Sequence, residues 1–336
     1  MNNIFIDNSW LTIVFTFLMG LSILLYVILD GYDLGVGILL NMGNDKEKDQ
    51  MIASIGPFWD ANETWLVLGI GILLIAFPKA HGVILSALYL PTSIMLIALI
   101  LRGVSFDFRS KVKTTHQHIW NKLFFIGSLL TALMQGYMLG FYIMGFESSP
   151  KSYLFSALCA LSLCGGYSFI GASWLIMKTE GILQSKAIKF SRISLWFVAI
   201  GIALVSLVTP LVNADILKKW FTTPNVFYLC PIPLITGILI LLADYFLKKL
   251  PLKNDKFAWL AFVVAVIIFI LCFIGLAYSF YPFIIPQKMT IFQASASPES
   301  LKIILIGALI VLPCIIAYTI FAYRVFWGKV SDLKYY

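Results

Sequence analysis

The sequence predicts an all-α membrane protein that crosses the bilayer several times. Hydrophobic residues make up 60% of the chain and charged residues only 12%, and the mean hydropathy is +0.93. Soluble domains carry about twice that share of charge. The apolar residues form continuous runs of about 20, the length that a spanning helix needs. They show none of the two-residue alternation of a membrane β-barrel, so we expect helices.

Nine apolar runs follow one another along the chain. In order they are 9–29, 58–77, 82–101, 119–143, 153–177, 193–213, 226–247, 257–281 and 303–323. The first run is preceded by no basic leader and contains no small-residue cleavage site, so we interpret it as a retained helix and not as a signal peptide. Short polar connections separate the runs, which predicts a single transmembrane domain over residues 1–336.

The basic residues predict the orientation of these helices. Of the 24 lysines and arginines, 18 lie after odd-numbered runs or at the C-terminus, and 6 lie on the other side. By the positive-inside rule the N-terminus is outside and the C-terminus is cytoplasmic. The net charge of +8 therefore reports topology, and we expect a lipid bilayer and no nucleic acid as its partner.

The second run leaves an alternative open. From Trp65 to Phe77 it has only 13 residues, about 20 Å of helix, which is too short to cross alone. Adding residues 58–64 completes a spanning helix but places Asp60 and Glu63 on it. If the segment were re-entrant instead, eight helices would remain and the basic tally would be 16 to 8 with the N-terminus inside. The charge rule favours nine helices only mildly.

Two acidic residues lie at the end of the first run, in "YVILDGYDLGVGILL". Asp30 and Asp33 are three residues apart and therefore share one face of a helix. Carboxylates within a membrane segment cost about 2.5–3.5 kcal/mol at the helix centre on insertion scales, and they usually face a bundle interior or an ion path. The alternative is a helix end that remains hydrated.

A second acidic cluster opens the stretch "GPFWDANETWLVLGIGILLIAFP". Asp60 and Glu63 again lie three apart, and Trp59 and Trp65 are suited to interfacial depth. Desolvation favours the neutral form of a carboxyl, which makes both clusters candidates for carrying protons. As an alternative, carboxylates in a first turn are stabilised simply by the helix dipole.

A third polar patch, "LRGVSFDFRSKVK", follows the third run. Arg102, Asp107 and Arg109 are predicted to form a cytoplasmic ion-pair cluster that packs this loop against helix ends. The alternative is a solvated loop whose positive charge sets the topology.

Haem and metal ligands are not indicated by the sequence. The three histidines fall near predicted helix ends, whereas a haem in a bundle needs an inward-facing axial ligand. The five cysteines lie in apolar runs without C-x-x-C spacing, so we expect neither a disulfide framework nor a metal site.

Together, "LDGYDLGVGILL", "GPFWDANETWLVLGIGILLIAFP" and "LRGVSFDFRSK" resemble the N-terminal third of subunit II of the cytochrome bd-type quinol oxidases of prokaryotic membranes. The resemblance is strong over residues 26–111 and weaker around "YPFIIPQKMTIFQASAS", residues 281–297. Its most specific element is G-[FY]-D-x-G-V-G followed by W-D-x-N-x-x-W.

The resemblance implies nine helices in two four-helix bundles plus a peripheral helix, paired with a haem-bearing subunit I of similar fold. The pair would oxidise quinol and reduce dioxygen to water in the prokaryotic cytoplasmic membrane. Haem b and haem d, or haem b alone, would belong to subunit I, with none ligated by this chain. Whether a small accessory subunit is also present is left open.

The resemblance also implies roles for individual residues, since subunit II of this family is associated with stability of the oxidase and with a proton route. The route residues would be Asp60, Asp30, Asp33 and Glu63, lined or oriented by Trp59, Asn62 and Trp65. Asp60 would be the deepest stop in this chain, with Asp30 and Asp33 at the cytoplasmic entry. Relatives carry an amide at the position of Glu63, so its role stays open.

Two other classes of function compete with this interpretation. A secondary transporter would use Asp30, Asp33 and Asp60 as a proton or cation site, but transporters often have repeated halves, and no second copy of the acidic elements is evident. A purely structural membrane subunit is the third alternative.

Overall fold

The structure is a computed structural model that describes residues 9–112, 116–252 and 255–330. In chain order its elements are α1 (Ser9–Leu39), a 3-10 turn (Leu40–Met42), α2 (Asp45–Ile55), α3 (Trp59–Ala76), α4 (Pro78–Ala87), α5 (Tyr89–Lys111), α6 (Gln117–Ile143), α7 (Pro150–Lys178), α8 (Gly181–Val212), α9 (Ala214–Phe221), α10 (Asn225–Leu229), α11 (Pro231–Leu247), α12 (Ala258–Phe280), β1 (Phe283–Ile285), β2 (Met289–Thr290), α13 (Ile291–Ala294) and α14 (Pro298–Val325).

Within the described residues, nine helical stretches are long and apolar enough to cross a membrane. They are α1, α3, α5, α6, α7, α8, α10 together with α11, α12 and α14. The all-α polytopic fold with nine spans is therefore confirmed for this part of the chain. The 18 residues of α3 correspond to about 27 Å of helix, which favours a spanning helix over a re-entrant segment.

The described residues divide into two compact units. Unit 1 comprises the described residues up to 30 and residues 57–87 and 280–327, and unit 2 comprises residues 31–56, 88–279 and those from 328 onwards. The prediction of a single domain over residues 1–336 stays a prediction.

Unit 1 contains the first part of α1 together with α3, α4, α14 and the small β-hairpin. The hairpin pairs β1 with β2 antiparallel. Thr290 then caps α13 with its side chain, and Gln293 reciprocates by bonding the Thr290 backbone. The backbone N–H of Ala296 donates to the carbonyl of Ala76 at the end of α3 (2.8 Å), which fixes the segment before α14 against α3.

Unit 2 is built around α5, α6, α7 and α8, each packed against the next in sequence. Glycines allow the closest approach between α6 and α7: a Cβ on Gly136 would lie 2.5 Å from the Cα of Ala160, and one on Gly140 would lie 2.5 Å from the Cα of Ser156. The later glycine, Gly140, meets the earlier residue of α7, Ser156, so the two helices run antiparallel.

The third span differs from the predicted run of 82–101. The chain forms a separate short helix, α4, and the span α5 then extends from Tyr89 to Lys111. Residues 102–111 are thus helical and not a loop, because the buried face of α5 continues through Arg102, Ser105 and Arg109.

Some predictions concern residues outside the described ranges. They are the lack of a basic leader, which concerns residues 1–8 in part, and the contributions of Lys113, Lys253 and Lys334 to the basic tally.

Candidate functional site

The acidic turn of α1 lies inside the helix and not at its end. The helix continues to Leu39, and Asp30 and Asp33 are 0% and 1% exposed. The apolar run before them and the glycines after them both favour close packing in a membrane. Two carboxyls on one face are therefore withdrawn from solvent within a spanning helix, where ionisable side chains are costly.

Glycines after Asp30 let neighbouring helices of unit 2 reach the α1 backbone. A Cβ on Gly35 would lie 1.8 Å from the carbonyl oxygen of Tyr167, and one on Gly37 would lie 2.1 Å from the hydroxyl of Ser128. Gly35 therefore faces α7 and Gly37 faces α6. Larger residues would separate the helices around Asp33.

The first turns of α3 contain the second predicted cluster, within unit 1. Asp60 is exposed, Glu63 is half-buried and Asn62 is buried. The amide of Asn62 donates to the carbonyl of Leu29 on α1 (3.3 Å) and accepts from the hydroxyl of Tyr323 on α14 (3.3 Å). Asn62 thus fastens α3 to α1 directly beside Asp30.

Two tryptophans flank this turn at different depths. Trp59 is half-buried, whereas Trp65 is only 2% exposed. The indole N–H of Trp65 has no hydrogen-bond partner among the described residues. A buried donor of this kind normally bonds a protein acceptor or an ordered water. The indole N–H of Trp65 is therefore a donor available to a water molecule.

The predicted ion-pair cluster of Arg102, Asp107 and Arg109 is not assembled as expected. Asp107 lies on the exposed face of α5, while Arg102 and Arg109 are buried. Arg109 donates to Asp49 of α2 and to Asn121 of α6, both at 2.6 Å. Residues on one helix surface meet when three or four apart, so Asp107 and Arg109, two apart, point in different directions.

Asp49 and Asn121 were missed by the sequence analysis, as was a second ion pair on α2. Glu47 and Asn44 form a reciprocal capping box at the start of that helix, for which the pattern N-D-K-E was an available signal. The Nζ of Lys186 lies 2.6 Å from the Glu47 carboxylate. This hydrogen bond and that from the Asn44 backbone lower the pKa of Glu47.

Asp244 on α11 is another buried carboxylate that the sequence analysis did not single out. It accepts from the guanidinium of Arg192 (3.2 Å) and the indole of Trp196 (3.4 Å), both on α8. Its other oxygen lies 2.6 Å from the Nζ of Lys248. An acid followed four residues later by a lysine, at the end of an apolar run, was the available signal.

Within the described ranges, His, Cys, Asp and Glu form no group of three or more that could hold a metal ion.

Comparisons with known proteins bear on this geometry. Residues 11–326 match the family described as cytochrome bd terminal oxidase subunit II. The chain is 29% identical to "Cytochrome bd ubiquinol oxidase subunit 2" of Bacillus subtilis and 26% identical to "Cytochrome bd-I ubiquinol oxidase subunit 2" of Escherichia coli strain K12, each alignment covering 97% of both chains. A chain from a structure described as that of bd oxidase from Geobacillus thermodenitrificans is similar in fold, with a TM-score of 0.75 and 17% identity over 94% of this chain and 98% of that one. Because the family match covers nearly the whole length, the chain belongs to the cytochrome bd terminal oxidase subunit II family.

Proposed function

We propose that this chain pairs with a haem-bearing subunit I in a quinol-oxidising, dioxygen-reducing membrane complex, stabilises that subunit and contributes a cytoplasmic proton route. The names of its relatives, which are subunits of ubiquinol oxidases, support the quinol substrate and the heteromeric assembly. The route would use Asp30, Asp33, Asp60 and Glu63.

The observation that carries the proton route is the burial of Asp30 and Asp33 in a spanning helix. A buried carboxyl in a membrane is costly and usually marks an ion or proton path. Oxygen reduction consumes protons, which must reach a buried reaction centre in the partner subunit. Side chains able to accept and release a proton inside the bundle meet that need.

The exposure of the acidic residues in unit 1 supports an entry at the start of α3. Asp60 is exposed, Glu63 is half-buried and Asp30 is buried, while Asn62 holds α3 and α1 together beside Asp30. We therefore reverse the order that the resemblance implies and assign Asp60 to the solvent end of the route and Asp30 to its inner end. Trp59 and Trp65 would line it, with the unbonded indole N–H of Trp65 available to a bridging water.

The positions of the histidines support assigning no haem to this chain. Its three histidines, His81, His116 and His118, lie on α4, just before α6 and in the first turn of α6. A haem needs an axial ligand directed into a bundle, so we assign haem b and haem d, or haem b alone, to subunit I. There the haems supply electron transfer and the oxygen-binding centre, and this chain delivers protons.

For orientation we propose an outer N-terminus and a cytoplasmic C-terminus in the prokaryotic inner membrane. The basic tally of 18 to 6 supports this by the positive-inside rule. An accessory third subunit is compatible with the proposal and is not required by it. The transporter alternative has no separate support among the described residues.

The test replaces Asp30 or Asp60 with Asn in the complete complex purified from its native membranes. We expect slower quinol-dependent oxygen consumption with normal haem content in the reduced-minus-oxidised spectrum. Asp107→Asn is the matched control, because Asp107 is exposed on a spanning helix and lies outside the route. Unchanged turnover in both route variants would contradict the proton route and leave this chain a purely structural role. Loss of haem together with activity would instead assign the two carboxyls to assembly of the complex.

A further inference from the structure

One face of α6 is polar inside the membrane. Ser128, Thr131 and Gln135 are spaced by three and four residues, so they form a continuous stripe on the helix. Ser128 and Thr131 are both 0% exposed, and Gln135 is half-buried. All three lie in unit 2. No role for these three residues was evident from the sequence.

The hydroxyls of Ser128 and Thr131 have no hydrogen-bond partner among the described residues. Other buried serines of unit 2 bond a carbonyl of their own helix: Ser156 donates to Ser152 (2.7 Å) and Ser173 donates to Phe169 (2.8 Å). Buried hydroxyls nearly always have a partner, and where the protein supplies none the partner is ordered water. Two successive turns of α6 therefore carry buried hydroxyls for which the described protein atoms provide no partner.

Contacts of the glycines place Asp33 beside this stripe. Gly37 meets the Ser128 hydroxyl, and Asp33 lies one helical turn before Gly37 on the same face. Gly31 meets the ring of Tyr167, and Gly35 meets the backbone of Tyr167 and Gly171. The contacts therefore advance along both helices together, and α1 and α7 run parallel.

Because α6 is antiparallel to α7, it is also antiparallel to α1. One turn back along α1, from Gly37 to Asp33, thus corresponds to one turn forward along α6, from Ser128 to Thr131. The stripe continues to Gln135, whose side-chain oxygen accepts from the hydroxyl of the fully buried Tyr167 (2.6 Å).

The geometry points to a hydrated proton relay in unit 2, in which Ser128, Thr131 and the Gln135–Tyr167 pair hold water in hydrogen-bonding reach of Asp33. This inference rests on the proposed proton route and extends it to residues without a carboxyl. Each hydroxyl donates one proton as it accepts another, so the number of protons bound to the relay is the same before and after each transfer. The backbone of Arg102, a buried residue of α5, packs against Gly127 of α6, next to Ser128 in the chain.

Thr131 offers a matched pair of substitutions for a test in the intact oxidase complex. Thr131→Val preserves the shape and removes the hydroxyl, whereas Thr131→Ser preserves the hydroxyl. We expect Thr131→Val to lower oxygen consumption about fivefold, the factor that corresponds to one hydrogen bond of ~1 kcal/mol, and to increase the solvent isotope effect in D₂O. Thr131→Ser should restore both values, and haem content should be normal throughout.

Ser128→Ala and Ser156→Ala form the second comparison. Both serines are fully buried, but the Ser156 hydroxyl is bonded within α7, so only Ser128→Ala should slow turnover. If Thr131→Val and Ser128→Ala retain full turnover while Asp33→Asn is slow, the relay is refuted and the proton route stands. If Asp33→Asn also retains full turnover, the route through this unit fails with it.

Discussion

Gly35 is the position at which the structure makes its sharpest stability prediction. A Cβ there would lie 1.8 Å from the carbonyl oxygen of Tyr167, 2.7 Å from its carbonyl carbon and 2.9 Å from the Cα of Gly171. Ordinary contact begins near 3.4 Å, so Gly35→Ala requires α1 and α7 to separate locally by about 1.6 Å. The obstructing atoms are backbone, which cannot rotate away as a flexible side chain would.

Overpacking of a well-packed interior typically costs 1–3 kcal/mol and occasionally more, and we place Gly35→Ala at or above ~3 kcal/mol on that scale because both surfaces are backbone. Asp33 lies two residues away on the same helix, so we also expect lower oxidase turnover. The assay is the thermal unfolding midpoint of the purified complex in mild detergent, together with oxygen consumption before heating.

Gly71→Ala is the matched control. Gly71 also lies in a spanning helix, and a Cβ there meets nothing within 4 Å. Removing a glycine from a helix interior then stabilises it by about 0.5–1 kcal/mol. Equal midpoints for the two variants would refute the close approach of α1 and α7 on which the position of Asp33 depends.

Three further predictions concern the ion pairs of unit 2. Glu47→Gln should lower the unfolding midpoint at neutral pH. Because folding lowers the pKa of Glu47 from 4.5, the difference in midpoint from the wild type should narrow as pH falls below that value. A difference that is independent of pH, or an equal loss in the exposed Asp45→Asn, would contradict the pairing of Glu47 with Lys186. Arg109→Lys should cost about 1–3 kcal/mol, since one ammonium does not reproduce the fork between Asp49 and Asn121, whereas the exposed Arg324→Lys should unfold at the wild-type temperature. Asp244→Asn should lower the unfolding midpoint most at low salt, because the two cations left facing each other are screened at high salt; a midpoint insensitive to salt would count against that account.

Much of the chain's organisation follows from local composition. A span is recognised from about 20 apolar residues whatever surrounds them, which is why nine runs appear as nine helices over the described residues. The family motif also lies in short contiguous stretches. The third span shifted because residues 102–111 combine a buried face with a polar one, and an average over a window does not separate the two.

What the tertiary structure decided is which way each polar side chain points and what it meets. Asp60 and Asp30 look alike in sequence, yet one is exposed and the other buried, since helix rotation is set by packing against neighbours. Arg109 pairs with Asp49, 60 residues away, and not with Asp107 close by. Ser128 and Ser156 are each a serine in an apolar run, and only the approach of Gly37 to Ser128 distinguishes a hydroxyl directed at α1 from one bonded within its own helix. Hydropathy measures how much of a segment is apolar, whereas these distinctions depend on contacts between segments far apart in the chain.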